Sequence, residues 1–209
     1  MAFMSKRNII LFGGAFDPIT IGHIKIANSV IEILNPDELW ISPCYKHSFG
    51  KNLTPSEDRL EMCHIAVKNN DRYHNKIDVC SLETDLKLEL PTYYTLQKVF
   101  ELFPSYAYSF SMIIGIDNAN CFDKWVRYKD LQKIIPFIVV SRSGVERDKS
   151  VDWYMQPPHI FLEFPYDPVS DISSTKVREL IYSRDSISGK VPDGVWEYIR
   201  HKNLYLKKA

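Results

Sequence analysis

Short apolar runs alternate along this chain with longer segments in which apolar residues recur every three or four positions. Residues 8–12 (NIILF) read as a buried strand closed by Gly13 and Gly14. Residues 22–34 set Ile24, Ala27, Ile31 and Leu34 along one helical stripe. A second strand follows at 38–42 (ELWIS). Residues 54–68 predict a helix with a start signal, Thr54 then Pro55, with Glu57 three residues after the threonine. Residues 76–80 read as a short strand. Residues 92–103 form a helix with Leu96, Val99 and Phe103 on one side. Strands are expected at 108–114, 136–141 and 159–163, and helices at 174–182 and 192–201. Strands that alternate with helices predict an α/β fold with βαβ units and a mostly parallel sheet. Ligands in such sheets sit beyond the carboxyl ends of the strands, where the strand order changes. The segments that follow strand ends therefore carry the chemistry.

Composition narrows the classes. The 209 residues suit one domain, or one with a small appendage. Apolar residues at 45% and charged residues at 25% describe a chain with a core. Lys and Arg number 26, and so do Asp and Glu, which excludes the whole-molecule basic field of a nonspecific nucleic-acid binder. A local basic pocket for a small phosphorylated ligand remains open. Cys44, Cys63, Cys80 and Cys121 are scattered, without a C-x-x-C pair, and read as reduced and buried. The run at 9–12 is too short for a signal segment, and no stretch approaches the ~20 apolar residues of a membrane helix. The expectation is a soluble, cytoplasmic protein with no membrane or nucleic-acid partner; a homo-oligomer stays open.

Four clusters stand at strand ends. The first runs from Gly13 to His23, G-G-A-F-D-P-I-T-I-G-H. Its glycines let a phosphate chain approach the backbone, and a helix start offers free N–H groups. Thr20 and His23 lie three apart there and can face one ligand. Neither a Walker A loop nor G-x-G-x-x-G is present. The second is Asp171-Ile172-Ser173-Ser174-Thr175-Lys176-Val177-Arg178. One hydroxyl can cap the helix while the others hold phosphate oxygens, and Arg178 can reach back as a forked donor. The third is Gly115-Ile116-Asp117 with Trp125 eight residues beyond the Asp; a carboxylate at a strand end can take two ribose hydroxyls. The fourth is a basic loop after the second strand, with Lys46, His47 and Lys51.

The first two strings, about 150 residues apart, resemble the nucleotidyltransferase superfamily with its (H/T)-x-G-H and I-S-S-T-x-x-R motifs. Within it they look like the nicotinate or nicotinamide mononucleotide adenylyltransferases. The resemblance implies a Rossmann-like, doubly wound parallel sheet with flanking helices, one domain over 1–209 whose C-terminal helical portion starts at about 173. It implies transfer of AMP from ATP to a pyridine mononucleotide in NAD biosynthesis. ATP would lie against Gly13, Gly14, Ala15, Phe16, Thr20, His23, Gly115, Asp117, Ser173, Ser174, Thr175 and Arg178. His23, Thr20 and Arg178 would act on the reacting phosphates. The acceptor would meet a cationic loop, with Lys46 and Lys51 undecided between them, the segment at Thr92, the Trp125 ring, and Arg142 at the family's S-R position. Mg²⁺ would ride on the ATP phosphates, with Asp17 either a turn residue or an orienter of the loop or metal shell. Thr20 departs from the His usual in bacterial nicotinate members, but the middle of the chain, at residues 91–96, 115–125 and Ser141-Arg142, resembles that branch and outweighs it, so nicotinate is expected over the amide. Pantetheine-phosphate adenylyltransferases and cytidylyltransferases are rivals with the same chemistry, and a non-catalytic nucleotide sensor is a rival of another class. Residues 143–151 read as an exposed charged loop.

Overall fold

The computed structural model describes residues 5–46, 50, 52–70, 72, 75–142, 144–165 and 172–206. Six strands form one parallel sheet: β1 (Arg7–Gly14), β2 (Glu38–Pro43), β3 (Ile77–Val79), β4 (Tyr108–Gly115), β5 (Phe137–Val140) and β6 (Ile160–Leu162). Their order is β3-β2-β1-β4-β5-β6. The chain thus winds outward from β1 in one direction and resumes beside it at β4. The crevice between the carboxyl ends of β1 and β4 is the switch point where such sheets take ligands.

Both faces of the sheet are covered, which is why β1 reads as a continuous apolar run rather than an alternating one. Side chains of odd and even positions go to opposite faces. Ile10 and Phe12 join Leu39, Ile41, Ile113 and Val140 in one core layer. Ile9 and Leu11 join Met112, Ile114, Phe137 and Val139 in the other. The first layer is roofed by α1 (Ile21–Leu34), α2 (Ser56–Asn70) and, late in the chain, a helix at Ser174–Tyr182 and another at Val195–His201. The second is roofed by short helices. In chain order these intervening helices are α3 (Leu82–Asp85), α4 (Thr92–Leu102), α5 (Ile116–Asn120) and α6 (Tyr128–Ile134), so the last two are α7 (Ser174–Tyr182) and α8 (Val195–His201).

The predicted strands and long helices are all present. β1 and β4 run through their terminal glycines instead of stopping before them, because those glycines still pair with β2 and β5. α2 starts at Ser56, two residues later than Thr54, and α8 starts at Val195 because residues 193–194 form a turn. α3, α5 and α6 were not expected; they are four, five and seven residues long, too short to show a helical period. Among the described residues of 143–151 most are exposed, as read, although Val145 and Val151 pack against the second core layer. The four cysteines are free, with Cys63 buried and the other three half-buried. Among the described residues no helix is long and apolar enough to cross a membrane.

Candidate active site

At the carboxyl end of β1 the chain turns through Gly14, Ala15 and Phe16 before α1 begins. A Cβ on Gly14 would lie 3.1 Å from the Phe16 ring. Phe16 takes a left-handed φ of 46°, and its ring meets His23 edge-on at 5.0 Å. Phe12 flanks the same imidazole at 6.1 Å. The ring is thus held between two phenylalanines on the first turn of α1.

Its orientation follows from one hydrogen bond. The backbone N–H of Thr20 donates to His23 Nδ1 at 2.9 Å. A peptide N–H can only donate, so this nitrogen carries no proton, and the neutral ring bears its proton on Nε2. The Thr20 hydroxyl lies 2.8 Å from the same Nδ1. Burial, with a smaller contribution from the Arg142 charge, lowers the His23 pKa to about 4. At neutral pH His23 is an uncharged donor. Thr20 is itself buried, at 1% exposure, so its hydroxyl acts on the ring.

The Ser-Ser-Thr string divides its hydroxyls. Ser173 is the N-cap of α7, and its Oγ accepts the Lys176 N–H at 3.1 Å. Ser174 donates to the Pro18 carbonyl at 2.8 Å, a contact that joins the two motifs across 156 residues. Arg178 Nη2 donates to Thr175 Oγ1 at 3.2 Å, and Nη1 donates to the Asp17 carbonyl at 2.6 Å. Two of the five guanidinium N–H groups are used there, and three remain. Asp171 lies outside the described residues.

Asp117 and Arg142, assigned separately from the sequence, are partners. Arg142 Nη1 reaches Asp117 Oδ2 at 2.8 Å, while Asp117 Oδ1 is buried with no hydrogen-bond partner among the described residues. A Cβ on Gly115 would come within 2.4 Å of that oxygen, so glycine is what lets the carboxylate fold over the end of β4. Trp125 is half-buried against Phe122 at 5.1 Å, and its buried Nε1–H is unpaired. Arg127 lies over the Tyr93 ring at 4.2 Å and ties the start of α4, where Thr92 stands half-buried, to the turn after Trp125. Lys46 is exposed and pairs with Glu89 at 2.5 Å. Lys51 and His47 lie outside the described residues.

Arg59, Glu83 and Tyr205 were not singled out from the sequence. Arg59 is completely buried. Its Nε, Nη1 and Nη2 donate to the carbonyls of Thr54, Ala15 and Tyr45 at 2.8, 2.8 and 2.9 Å. One guanidinium therefore fastens the loop after β1 to the loop after β2 and to the approach of α2. The signal was readable: Met62, Cys63 and Ala66 make a buried stripe, and Arg59 extends it by one turn toward the N-terminus. Beside it, Glu83 accepts the Tyr45 N–H at 3.1 Å, and burial raises its pKa to about 7. Asp17, at 3% exposure, accepts the Tyr205 hydroxyl at 2.7 Å on one oxygen and the Thr54 N–H at 3.4 Å on the other. Tyr205 thus holds one oxygen of Asp17 and the segment at Thr54 the other. Among the described residues no group of three or more His, Cys, Asp or Glu could hold a metal ion, and no residue of this cluster is assigned to one. A groove of about 560 Å³ between α5, α6 and residues 150–153 includes none of the site residues in its lining.

The arrangement suits phosphate chemistry: a neutral imidazole N–H, an α7 N-terminus with free N–H groups, and a forked cation meet at the switch point. Comparison with known proteins agrees. The cytidylyltransferase-like family model matches residues 11–180. An Anaeromyxobacter dehalogenans protein named "Probable nicotinate-nucleotide adenylyltransferase" is 32% identical over 95% of this chain and 97% of its own length. A Geobacillus kaustophilus protein of the same name is 33% identical over 93% and 84%. The solved structure of Plasmodium falciparum nicotinic acid mononucleotide adenylyltransferase complexed with NaAD superposes with a TM-score of 0.84, at 26% identity over 97% of this chain and 98% of that one. With a family model over most of its length and relatives above 30% identity over nearly all of it, the chain belongs to the cytidylyltransferase-like nucleotidyltransferases, in the nicotinate-nucleotide adenylyltransferase family.

Proposed function

We propose that this protein transfers AMP from ATP to nicotinate mononucleotide, a step of NAD biosynthesis. An oxygen of the acceptor's 5′-phosphate attacks the α-phosphorus, and the bond from that phosphorus to the β-phosphate bridge breaks to release pyrophosphate. No side chain need act as nucleophile, so positioning and charge stabilisation carry the catalysis. His23 donates its Nε2–H to an α-phosphate oxygen as charge builds there. Thr20 keeps the ring in the tautomer that can do so. Arg178, Thr175 and the N–H groups that open α7 take the β- and γ-phosphates. Asp117 takes the ATP ribose, and Thr92, Trp125 and Arg142 take the acceptor, with Lys46 or Lys51 on its phosphate. Mg²⁺ carried on the ATP phosphates would supply charge neutralisation there.

The observation that carries this reading is the Thr20 N–H on His23 Nδ1, which leaves the opposite nitrogen as an uncharged donor. A pyrophosphate-release assay with ATP tests it against nicotinate mononucleotide, its amide and phosphopantetheine. The expected outcome is a kcat/KM for the acid at least tenfold above the amide, since a mispaired buried amide costs about 1–3 kcal/mol. Equal values would mean dual specificity, and turnover of phosphopantetheine alone would overturn the proposal.

A further inference from the structure

The end of the chain is tied into the phosphate site. After α8, the segment at Asn203 and Tyr205 turns through two left-handed residues, with φ of 54° and 64°. Leu204 and Tyr205 pack against the first core layer. The Tyr205 hydroxyl then meets the buried Asp17 carboxylate at 2.7 Å. Of the two hydrogen bonds on that carboxylate, this is the short one; the Thr54 N–H stands at 3.4 Å. The carbonyl of the same Asp17 receives Arg178 Nη1 at 2.6 Å. Asp17 is thus gripped at its side chain by the end of the chain and grips Arg178 with its backbone.

We infer that Tyr205 is a positioning residue for the ATP side of the site, fixing through Asp17 the backbone on which the Arg178 guanidinium rests. The inference rests on the assignment of Arg178 to the triphosphate. A carboxylate at this depth needs its donors, and a neighbour that ionised would repel it. Burial and the Asp17 charge push the Tyr205 hydroxyl above its ordinary range, so it stays protonated and donates. With the hydroxyl gone, the long bond from Thr54 is what Asp17 keeps among the described residues. Its peptide is then free to tilt, and Arg178 loses a fixed direction while keeping its charge. The cost falls on binding that depends on direction, which is ATP binding, and not on the acceptor.

A control with the same chemistry is built into the molecule. The Tyr198 hydroxyl donates to Asp58 Oδ1 at 2.7 Å between α8 and α2, where Lys202 Nζ also reaches that oxygen at 3.1 Å. Tyr205→Phe and Tyr198→Phe each remove one hydroxyl that bonds a carboxylate. The expected result is a rise of about five- to tenfold in the KM for ATP in Tyr205→Phe only. The acceptor KM stays within twofold of wild type in both variants, and the two melting temperatures fall by similar amounts. An unchanged ATP KM in Tyr205→Phe, or an equal rise in Tyr198→Phe, would overturn the inference. Calorimetric titration of wild type and Tyr205→Phe with ATP supplies a second readout. A wild type that releases no pyrophosphate with any acceptor would sink the proposed reaction, and the ATP Kd values would still decide the role of Tyr205: a five- to tenfold weakening supports it and equal affinities overturn it.

Discussion

The ends of β1 and β2 hold two polar centres of opposite design. At the end of β1, His23 is held by one backbone N–H and two phenyl rings, and its other nitrogen is left with a proton to give. At the end of β2, Arg59 spends its donors on three carbonyls of its own chain. The first centre keeps a donor for a ligand, and the second, completely buried, turns toward its own backbone. A buried polar group whose partners are all internal holds the fold; one that keeps a donor in reserve meets a substrate. Removing each should therefore fail in a different way.

The largest effect expected is on stability, from Arg59→Met. The substitution keeps much of the volume but strips the Ala15, Tyr45 and Thr54 carbonyls of their donor. Breaking a buried charged network from one side costs roughly 3–5 kcal/mol. Urea denaturation should show a loss of that order, and a variant as stable as wild type would erase the distinction between the two centres. His23→Ala should do the reverse. Loss of one donor to the developing charge typically lowers kcat by about 10²–10³, while the urea midpoint moves little. Wild-type kcat would remove His23 from the site. Arg178→Lys lies between them in character. One ammonium cannot span both the Asp17 carbonyl and Thr175. We expect the ATP KM to rise about tenfold, a loss near 1.4 kcal/mol, with the acceptor KM unmoved. A change confined to the acceptor KM would reassign α7 to the other substrate.

These contrasts also explain what could be read from the chain beforehand. α7 begins and ends where its pattern said, at Ser174 and Tyr182, because an N-cap serine and a clear stripe are local signals. The His23 cluster was legible for the same reason, since its glycines, Thr20 and His23 lie within eleven residues. The strand order was not, because it depends on which faces bury each other. The partnership of Asp117 with Arg142 was missed for that reason too: 25 residues separate them and only the pairing of β4 with β5 brings them together. Arg59 was not singled out, although it continues by one turn the stripe that Met62, Cys63 and Ala66 make on α2. Tyr205 gave no signal, as its partner is 188 residues away.

The net effect of pH on wild type is the smallest expected, and its two parts make the sharpest test of the two centres, because their pH dependences run in opposite directions. Burial lowers His23 from 6.5 to about 4 and raises Glu83, beside Arg59, from 4.5 to about 7. Below pH 6.5 the unfolded chain takes a proton that folded His23 refuses until about pH 4. The unfolded state then binds more protons, so the His23 contribution is lost as pH falls through that window. Glu83 acts the other way. Folded Glu83 keeps its proton up to about pH 7, whereas the unfolded chain gives it up near 4.5, so its contribution is full below that window and lost as pH rises through it. From pH 5 to 7 each contribution changes by on the order of 2 kcal/mol, and in wild type they largely cancel. Glu83→Gln retains an oxygen for the Tyr45 N–H but cannot titrate. Its stability relative to wild type should therefore rise between pH 5 and 7, while that of His23→Ala should fall. Urea denaturation of the three proteins at both pH values gives the differences directly, with the remaining carboxylates common to all. Parallel pH profiles in both variants would show that neither group is held neutral by its burial, and the His23 donor would then lose the basis for its fixed tautomer.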